Sequence, residues 1–204
     1  MARDARTVEE RRGDILNAAA DLIVKFGYAG TSLDAIVEAA GCSKSIVYNY
    51  FGDKQGLLAA LSEGVVHELS RALNASDRAH LGVEETLTVQ VEKMLELVLS
   101  DKYIAVLRVI MSEFWNTPKL GQAYYKLGPR AAQHQISEYL TEQADAGKLN
   151  IADAMHAAED FLALVLWNKQ HARMVGVARA YPPAEIEAQA KAAVSSFLRL
   201  YASS

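Results

Sequence analysis

Apolar residues recur every three or four positions through most of the chain, the period of a helix with one buried side, and no stretch alternates like a strand for long. Between Thr31 and Gly41 the stripe is Leu33, Ile36, Val37 and Ala40; Thr31-Ser32 followed by Asp34 opens it and Gly41 stops it. The turn Gly41-Cys42-Ser43 leads into a second helix from about Lys44, for which Ser43 is a natural N-cap, its side-chain oxygen placed to accept a first-turn N–H. At about 100° per residue Val47 and Phe51 share one side, while Ser45, Tyr48 and Asn49 lie together on the other. One side anchors and the other is left to be seen from outside.

The same reading covers the rest of the chain. Asp53 can cap a long helix over about residues 54–74, striped by Leu57, Leu58, Leu61, Val65, Leu69 and Leu73. Periodic segments follow at about 83–100 and 101–115. Thr117-Pro118 and Gly128-Pro129 each mark a stop and restart, since proline suits the first turn of a helix and not its interior. A helix from Pro129 ends near Ala146 before Gly147, and two more are expected over about 152–175 and 183–201. The predicted fold is all-α, with about nine or ten helices and no repeat or low-complexity tract.

Two helices joined by the Gly41–Ser43 turn form a helix-turn-helix, in which the first helix braces on the DNA backbone and the second enters the major groove. Here the sequence resembles the TetR family of one-component transcriptional regulators. The resemblance runs from about Arg11 to Leu58, through Phe26-Gly27-Tyr28, Thr31, Ala39-Ala40-Gly41, Ser43-Lys44 and Tyr48-Asn49-Tyr50-Phe51 to Lys54 and Leu57-Leu58. The family usually has Val where Cys42 stands, Gly near Ser45, a small hydroxyl residue at Ile46 and often His at Tyr50. Ile46 is the departure that matters, because an apolar side chain there can meet a thymine methyl and shift operator preference. The resemblance implies an arm and three-helix DNA-binding domain over residues 1–54, and a helical effector-binding and dimerisation domain over 55–204. It places Thr31, Ser43, Lys44, Ser45, Ile46, Tyr48, Asn49, Tyr50 and Lys54 at the DNA. Tyr48, Tyr50 and Lys54 match family positions that touch phosphates, and Lys44, Ser45 and Asn49 are placed to reach base edges. Farther on, Phe114-Trp115, Tyr124-Tyr125, Gly128-Pro129 and Gly147-Lys148-Leu149 are similar to the AefR-like or AcrR-like C-terminal group.

Charge adds little to the case for DNA. Residues 1–54 hold seven basic residues (Arg3, Arg6, Arg11, Arg12, Lys25, Lys44, Lys54) and eight acidic ones (Asp4, Glu9, Glu10, Asp14, Asp21, Asp34, Glu38, Asp53), a balance of −1. Binding must then rest on placement: Arg3, Arg6, Arg11 and Arg12 read either as a basic arm or as a solvated terminus, and Lys44 and Lys54 flank the reading helix. With 204 residues and 51% hydrophobic content the chain can bury a substantial core. One cysteine, Cys42, gives no intrachain disulfide, which together with the absence of a leader-like N-terminus or a membrane-length apolar run leads to a cytoplasmic expectation.

Two features beyond the motif suggest partners. The helix near 152–175 is apolar on two sides, and Phe161, Val165, Ala172 and Val175, with Ile186, Ala190 and Phe197 of the last helix, form a candidate seam between two copies of the chain; the alternative is that one subunit buries them all. In the TetR family the final two helices pair with their symmetry mates as a four-helix bundle, and these are the matching ones. Second, Met111, Trp115, Tyr124, Tyr125, Trp167 and Met174, with Arg108, His134 and His171 for polarity, are concentrated in helices that the family arranges round an effector cavity, although as single residues they also suit an ordinary core.

No Gly-rich phosphate loop or His-Glu-x-x-His is present, and the five histidines have no recognised ligand spacing, so neither an enzyme nor a cofactor or metal is expected. The expectation is a homodimeric repressor that binds a palindromic double-stranded DNA operator and is released by a small apolar or aromatic effector, with no membrane partner. A constitutive DNA-binding dimer, or an activator without an effector, is the alternative.

Overall fold

A computed structural model describes residues 7–74, 81–113, 115 and 117–202. Among these, ten helices follow in order: α1 (Val8–Gly30), α2 (Leu33–Ala40), α3 (Lys44–Phe51), α4 (Lys54–Asn74), α5 (Val83–Val98), α6 (Asp101–Glu113), α7 (Pro118–Leu127), α8 (Pro129–Asp145), α9 (Ala154–Met174) and α10 (Pro183–Tyr201). The all-α expectation holds. An isolated antiparallel bridge between Leu149 and Ala202 is the only extended pairing among the described residues.

Local chemistry accounts for the ends. Thr7 caps α1 reciprocally: its hydroxyl accepts the Glu10 N–H at 3.1 Å and its own N–H donates to the Glu10 carboxylate at 2.6 Å. Ser32 caps α2 by accepting the Ala35 N–H at 3.1 Å. Gly41 closes α2 at φ 60°, a left-handed conformation that glycine takes without penalty. Ser43 departs from expectation. Its hydroxyl lies 2.9 Å from that of Ser45 and makes no capping bond; the first-turn N–H of Ile46 goes to the Ser43 carbonyl oxygen at 3.0 Å instead. Asp53 caps α4 as expected, accepting the Gly56 N–H at 2.8 Å.

Val47 and Phe51 anchor α3 as the pattern requires, and Ile15, Ala19, Ala20 and Ile23 of α1 and Ile36 of α2 complete the head's interior. The core continues without a break into the body, where α1 lies on α6, and α4 packs on α5, α6, α7 and α8. The junction of α3 and α4 is tight: a Cβ on Gly56 would collide with the Phe51 carbonyl oxygen. The end of the reading helix and the start of α4 are therefore fixed to each other by backbone contact.

In the C-terminal half α10 packs on α5 and α9, and α9 on α8. Phe161 of α9 and Phe197 of α10 meet edge to face at 4.9 Å, both completely enclosed. Two arginines hold the C-terminus of α9. Arg173, 5% exposed, donates to the Leu99 carbonyl oxygen at 3.0 Å and to the Asp101 carboxylate; Arg108 donates to the carbonyl oxygens of Met174, at 2.9 Å, and Arg173.

This packing corrects the expected dimer seam. Phe161, Val165, Ile186, Ala190 and Phe197 are all buried inside the single chain and offer nothing to a second copy. The physical reason is that one apolar side of α9 is already covered by α8 and α10. Of the expected seam, Val175 is exposed and Ala172 half-buried. The exposed large apolar residues of α9 are Leu164 and Trp167, the latter 72% exposed.

Candidate nucleic-acid interface and cavity

Because Val47 and Phe51 pull one side of α3 into the core, its opposite side is presented outward: Lys44, Ser45, Tyr48 and Asn49 are exposed, Tyr48 by 47%. A hydroxyl, a phenol, an amide and an ammonium in that row are the groups that hydrogen-bond base edges and phosphates. Tyr50 is half-buried, its ring edge-on to that of Phe51 at 6.1 Å.

Three expected contacts are placed differently. Thr31 is only 2% exposed and spends its hydroxyl on the Gly27 carbonyl oxygen at 2.8 Å, so it cannot reach DNA. Its position follows from Gly27, whose φ of 72° and ψ of 167° kink α1 one turn before its end. Ile46 is half-buried against the head's core, beside Ile15, Ala40 and Cys42, which leaves part of its side chain for a thymine methyl at most. Lys54 points back into the protein: its ammonium donates to the Tyr28 carbonyl oxygen and lies 4.1 Å over the Tyr28 ring.

Lys54 is one instance of a general arrangement. Lys44 pairs with Asp34 at 2.7 Å, Arg12 lies over the Phe51 ring at 5.5 Å, Lys25 lies over Phe26 at 5.0 Å, and Arg11 also has an intramolecular partner. The Asp34 hydrogen bond and charge raise the Lys44 pKa, whereas burial lowers that of Lys54 against the opposing pull of Glu113. Arg3 and Arg6 of the expected arm lie outside the described residues.

Behind Tyr28 is a cavity of about 200 Å³ between the end of α1, the first half of α4, and α6 and α7. Tyr28, Leu58, Ala59, Ala123, Tyr124 and Leu127 give it apolar walls, and Gln55, Ser62, Glu63, Glu113, Thr117 and Lys119 supply polar atoms. The Tyr124 hydroxyl lies 3.2 Å from that of Tyr103, and burial raises the pKa of both phenols. Burial, then the carboxylates of Glu113 and Asp53, also raise that of Tyr28.

The expected ligand residues do not form one site. Tyr124 alone among them lines this cavity. Met111, Trp167, His171 and Met174 instead line an open groove of about 570 Å³ between α6 and α9, with Trp167 stacked on His171 at 5.3 Å. Trp115, 80% exposed, Tyr125 and His134 stand on the surface, and Arg108 is engaged at the end of α9. Phe114 lies outside the described residues. Leu58 was visible in the sequence only as part of the α4 stripe and Tyr28 only as part of the motif, and Ala59 was not singled out at all. Their shared cavity had no sequence signal.

Two family models match this chain: that of the bacterial regulatory proteins of the tetR family over residues 15–61, and that of the AefR-like transcriptional repressor C-terminal domain over residues 85–203. The chain belongs to the TetR family. Both halves of the resemblance read from the sequence are thereby shown, and this TetR-family chain is a DNA-binding transcriptional regulator and not an enzyme. A 71-residue stretch is 39% identical to the HTH-type transcriptional regulator BetI of Paraburkholderia xenovorans, covering 35% of this chain and 36% of that relative. In structure it is similar to a TetR-family regulator from Mesorhizobium loti, with a TM-score of 0.84, 23% identity and 97% and 99% of the two chains covered, a likeness of fold. It is also similar to the flavonoid-responsive regulator FrrA, with a TM-score of 0.71, 30% identity and 95% and 98% covered. Among the described residues of this TetR-family chain no cluster of three or more His, Cys, Asp or Glu could hold a metal ion, and no helix is long and apolar enough to cross a membrane.

Proposed function

We propose that this TetR-family regulator is a repressor that grips a palindromic operator as a homodimer and is released when a small apolar or aromatic effector enters the cavity behind Tyr28. The observation that carries the reading is the position of that cavity. It touches both α1, through Tyr28, and α4, through Leu58 and Ala59, and α4 is locked to the reading helix at Gly56. A ligand that bound tighter to one setting of α4 than to another would shift the reading heads with it, and coupling of about 1–3 kcal/mol would change operator affinity by roughly 5- to 150-fold.

The homodimer is supported by the uncovered apolar side of α9, with Leu164 and Trp167, continued by exposed Val175 just past its end, and by the need of a helix-turn-helix protein to span two half-sites. Ser45 and Asn49 read bases, and Tyr48 holds a phosphate. An aromatic effector is supported by the apolar cavity walls and by the similarity to FrrA, a protein named for its response to flavonoids.

Selection of binding sites from random duplexes by the purified protein tests the reading. A recovered palindrome with half-sites about one helical turn apart is expected, and expression from a reporter carrying it should fall when the protein is present. Asymmetric sites of a single half would reject the dimeric reading; rising expression would make the protein an activator.

A further inference from the structure

The cavity's chemistry is more specific than its apolar walls suggest. Tyr103 is 4% and Tyr124 9% exposed, and their hydroxyls face each other. Two facing hydroxyls share one hydrogen bond, so one of their two hydrogens must be donated elsewhere. If Tyr124 donates to Tyr103, the remaining hydrogen belongs to the more deeply buried Tyr103. If Tyr103 donates to Tyr124, the remaining hydrogen belongs to Tyr124, which lines the cavity, and the chain of donors is reinforced. Burial keeps both phenols protonated, hence donors.

Charge decides what accepts that hydrogen. The carboxylates of Glu63 and Glu113 line the cavity and are matched by the ammonium of Lys119 on its wall and that of Lys54 over the Tyr28 ring. Asp53, whose carboxylate also acts on Tyr28, adds a third negative charge nearby, so the surroundings hold no positive excess to draw in an anion, and an ion entering the apolar interior would lose its hydration uncompensated. Size sets the rest: apolar cavities of about 150 Å³ hold a benzene ring, so about 200 Å³ admits one ring with a small substituent.

We propose that the cavity binds a neutral, single-ring aromatic carbonyl compound whose oxygen accepts a hydrogen bond from the Tyr124 hydroxyl. The proposal rests on the reading above that this cavity, and not the α6–α9 groove, is the effector site.

The test uses the full-length protein and three probes of one shape: acetophenone, ethylbenzene, which lacks the oxygen, and benzoate, which is charged. By calorimetry acetophenone should bind more tightly than either of the others. Tyr124→Phe removes the hydroxyl alone, and should weaken acetophenone about 3- to 10-fold, the range of one neutral hydrogen bond, while leaving ethylbenzene unchanged. Ala123→Leu, which fills the cavity, should weaken acetophenone and ethylbenzene together. Benzoate binding as tightly as acetophenone, a Tyr124→Phe effect on both neutral probes or on neither, or no acetophenone binding to protein that still binds operator would each overturn the proposal. Operator affinity measured with acetophenone separates the two readings: binding by the predicted rules with unchanged operator affinity upholds the site's chemistry and removes its regulatory role.

Discussion

Gly56 and Gly64 stand in the same helix, α4, and should respond to alanine with opposite signs. Alanine in a helix interior is favoured over glycine by about 0.8–1.0 kcal/mol. At Gly64 nothing lies within 4 Å of the added methyl, so Gly64→Ala should be stabilising by about that amount. In a chain of this length about 1 kcal/mol corresponds to roughly 2–4 °C in Tm. At Gly56 the methyl collides with the Phe51 carbonyl oxygen, and backbone cannot rotate aside as a side chain can. Phe51 is itself buried, 8% exposed, and Asp53, whose carboxylate accepts the Gly56 N–H, lies 3.6 Å from the new carbon. Overpacking costs typically about 1–3 kcal/mol, and this contact belongs at the upper end, so it exceeds the propensity gain and Gly56→Ala should lose about 1–2 kcal/mol. Urea denaturation of the two variants measures the stabilities. Fluorescence anisotropy with an operator duplex should show weakened binding for Gly56→Ala and unchanged binding for Gly64→Ala, because relief of the collision must move α3 against α4. A Gly56→Ala protein as stable as wild type and with normal operator affinity would refute the claim that the two helices are fixed to each other.

The remaining predictions concern three other places. Phe197→Ala should cost about 3–5 kcal/mol by urea denaturation, because the enclosed ring leaves a cavity, whereas Trp167→Glu should leave stability of the fold nearly unchanged and convert dimer to monomer in sedimentation. Tyr48→Phe should weaken binding alike on all operator sequences, while Asn49→Ala and Ser45→Ala should change sequence preference in a site-selection assay; equal losses on every sequence would reject their assignment to base edges. Arg173→Leu should cost about 1.5–3 kcal/mol, since it removes hydrogen bonds to Leu99 and Asp101 from a buried charged group but leaves Asp101 exposed to water.

The elements were legible because local chemistry writes them: Ser32 and Asp53 at helix starts, Gly41 at an end, Pro118, Pro129 and Pro183 at restarts. The outward side of α3 was legible for the same reason, since Val47 and Phe51 fix its rotation. What failed was rotation without such a fix. A helix apolar on two sides, such as α9, does not declare which side its own chain covers: Val165, a candidate for the seam between two copies, is buried within one chain, and Trp167, a candidate cavity wall, lines an open groove. Contacts between distant residues were also silent. Lys54 and Tyr28 are 26 residues apart, and nothing in either neighbourhood announces that the ammonium is spent there and not on a phosphate. Tyr124 was found among aromatic residues picked for their density, but density did not separate it from Trp115, which stands in water.

The engaged cations of the head have a consequence for how the protein spends its time on the chromosome. Attraction to random sequence comes from ammonium and guanidinium groups that displace counterions from phosphates. Here Lys44, Lys54, Arg12 and Lys25 are held by Asp34, Tyr28, Phe51 and Phe26, and a phosphate must outbid those partners before it gains anything. Along arbitrary DNA each such exchange would return less than a free cation would, and sojourns there would be shorter. If Ser45 and Asn49 reach base edges as proposed, those contacts would tip the exchange at an operator, and the surface cations would change partners as the reading helix docks. The vast excess of irrelevant sites would then sequester few molecules, and a small number of copies would suffice to keep a promoter occupied.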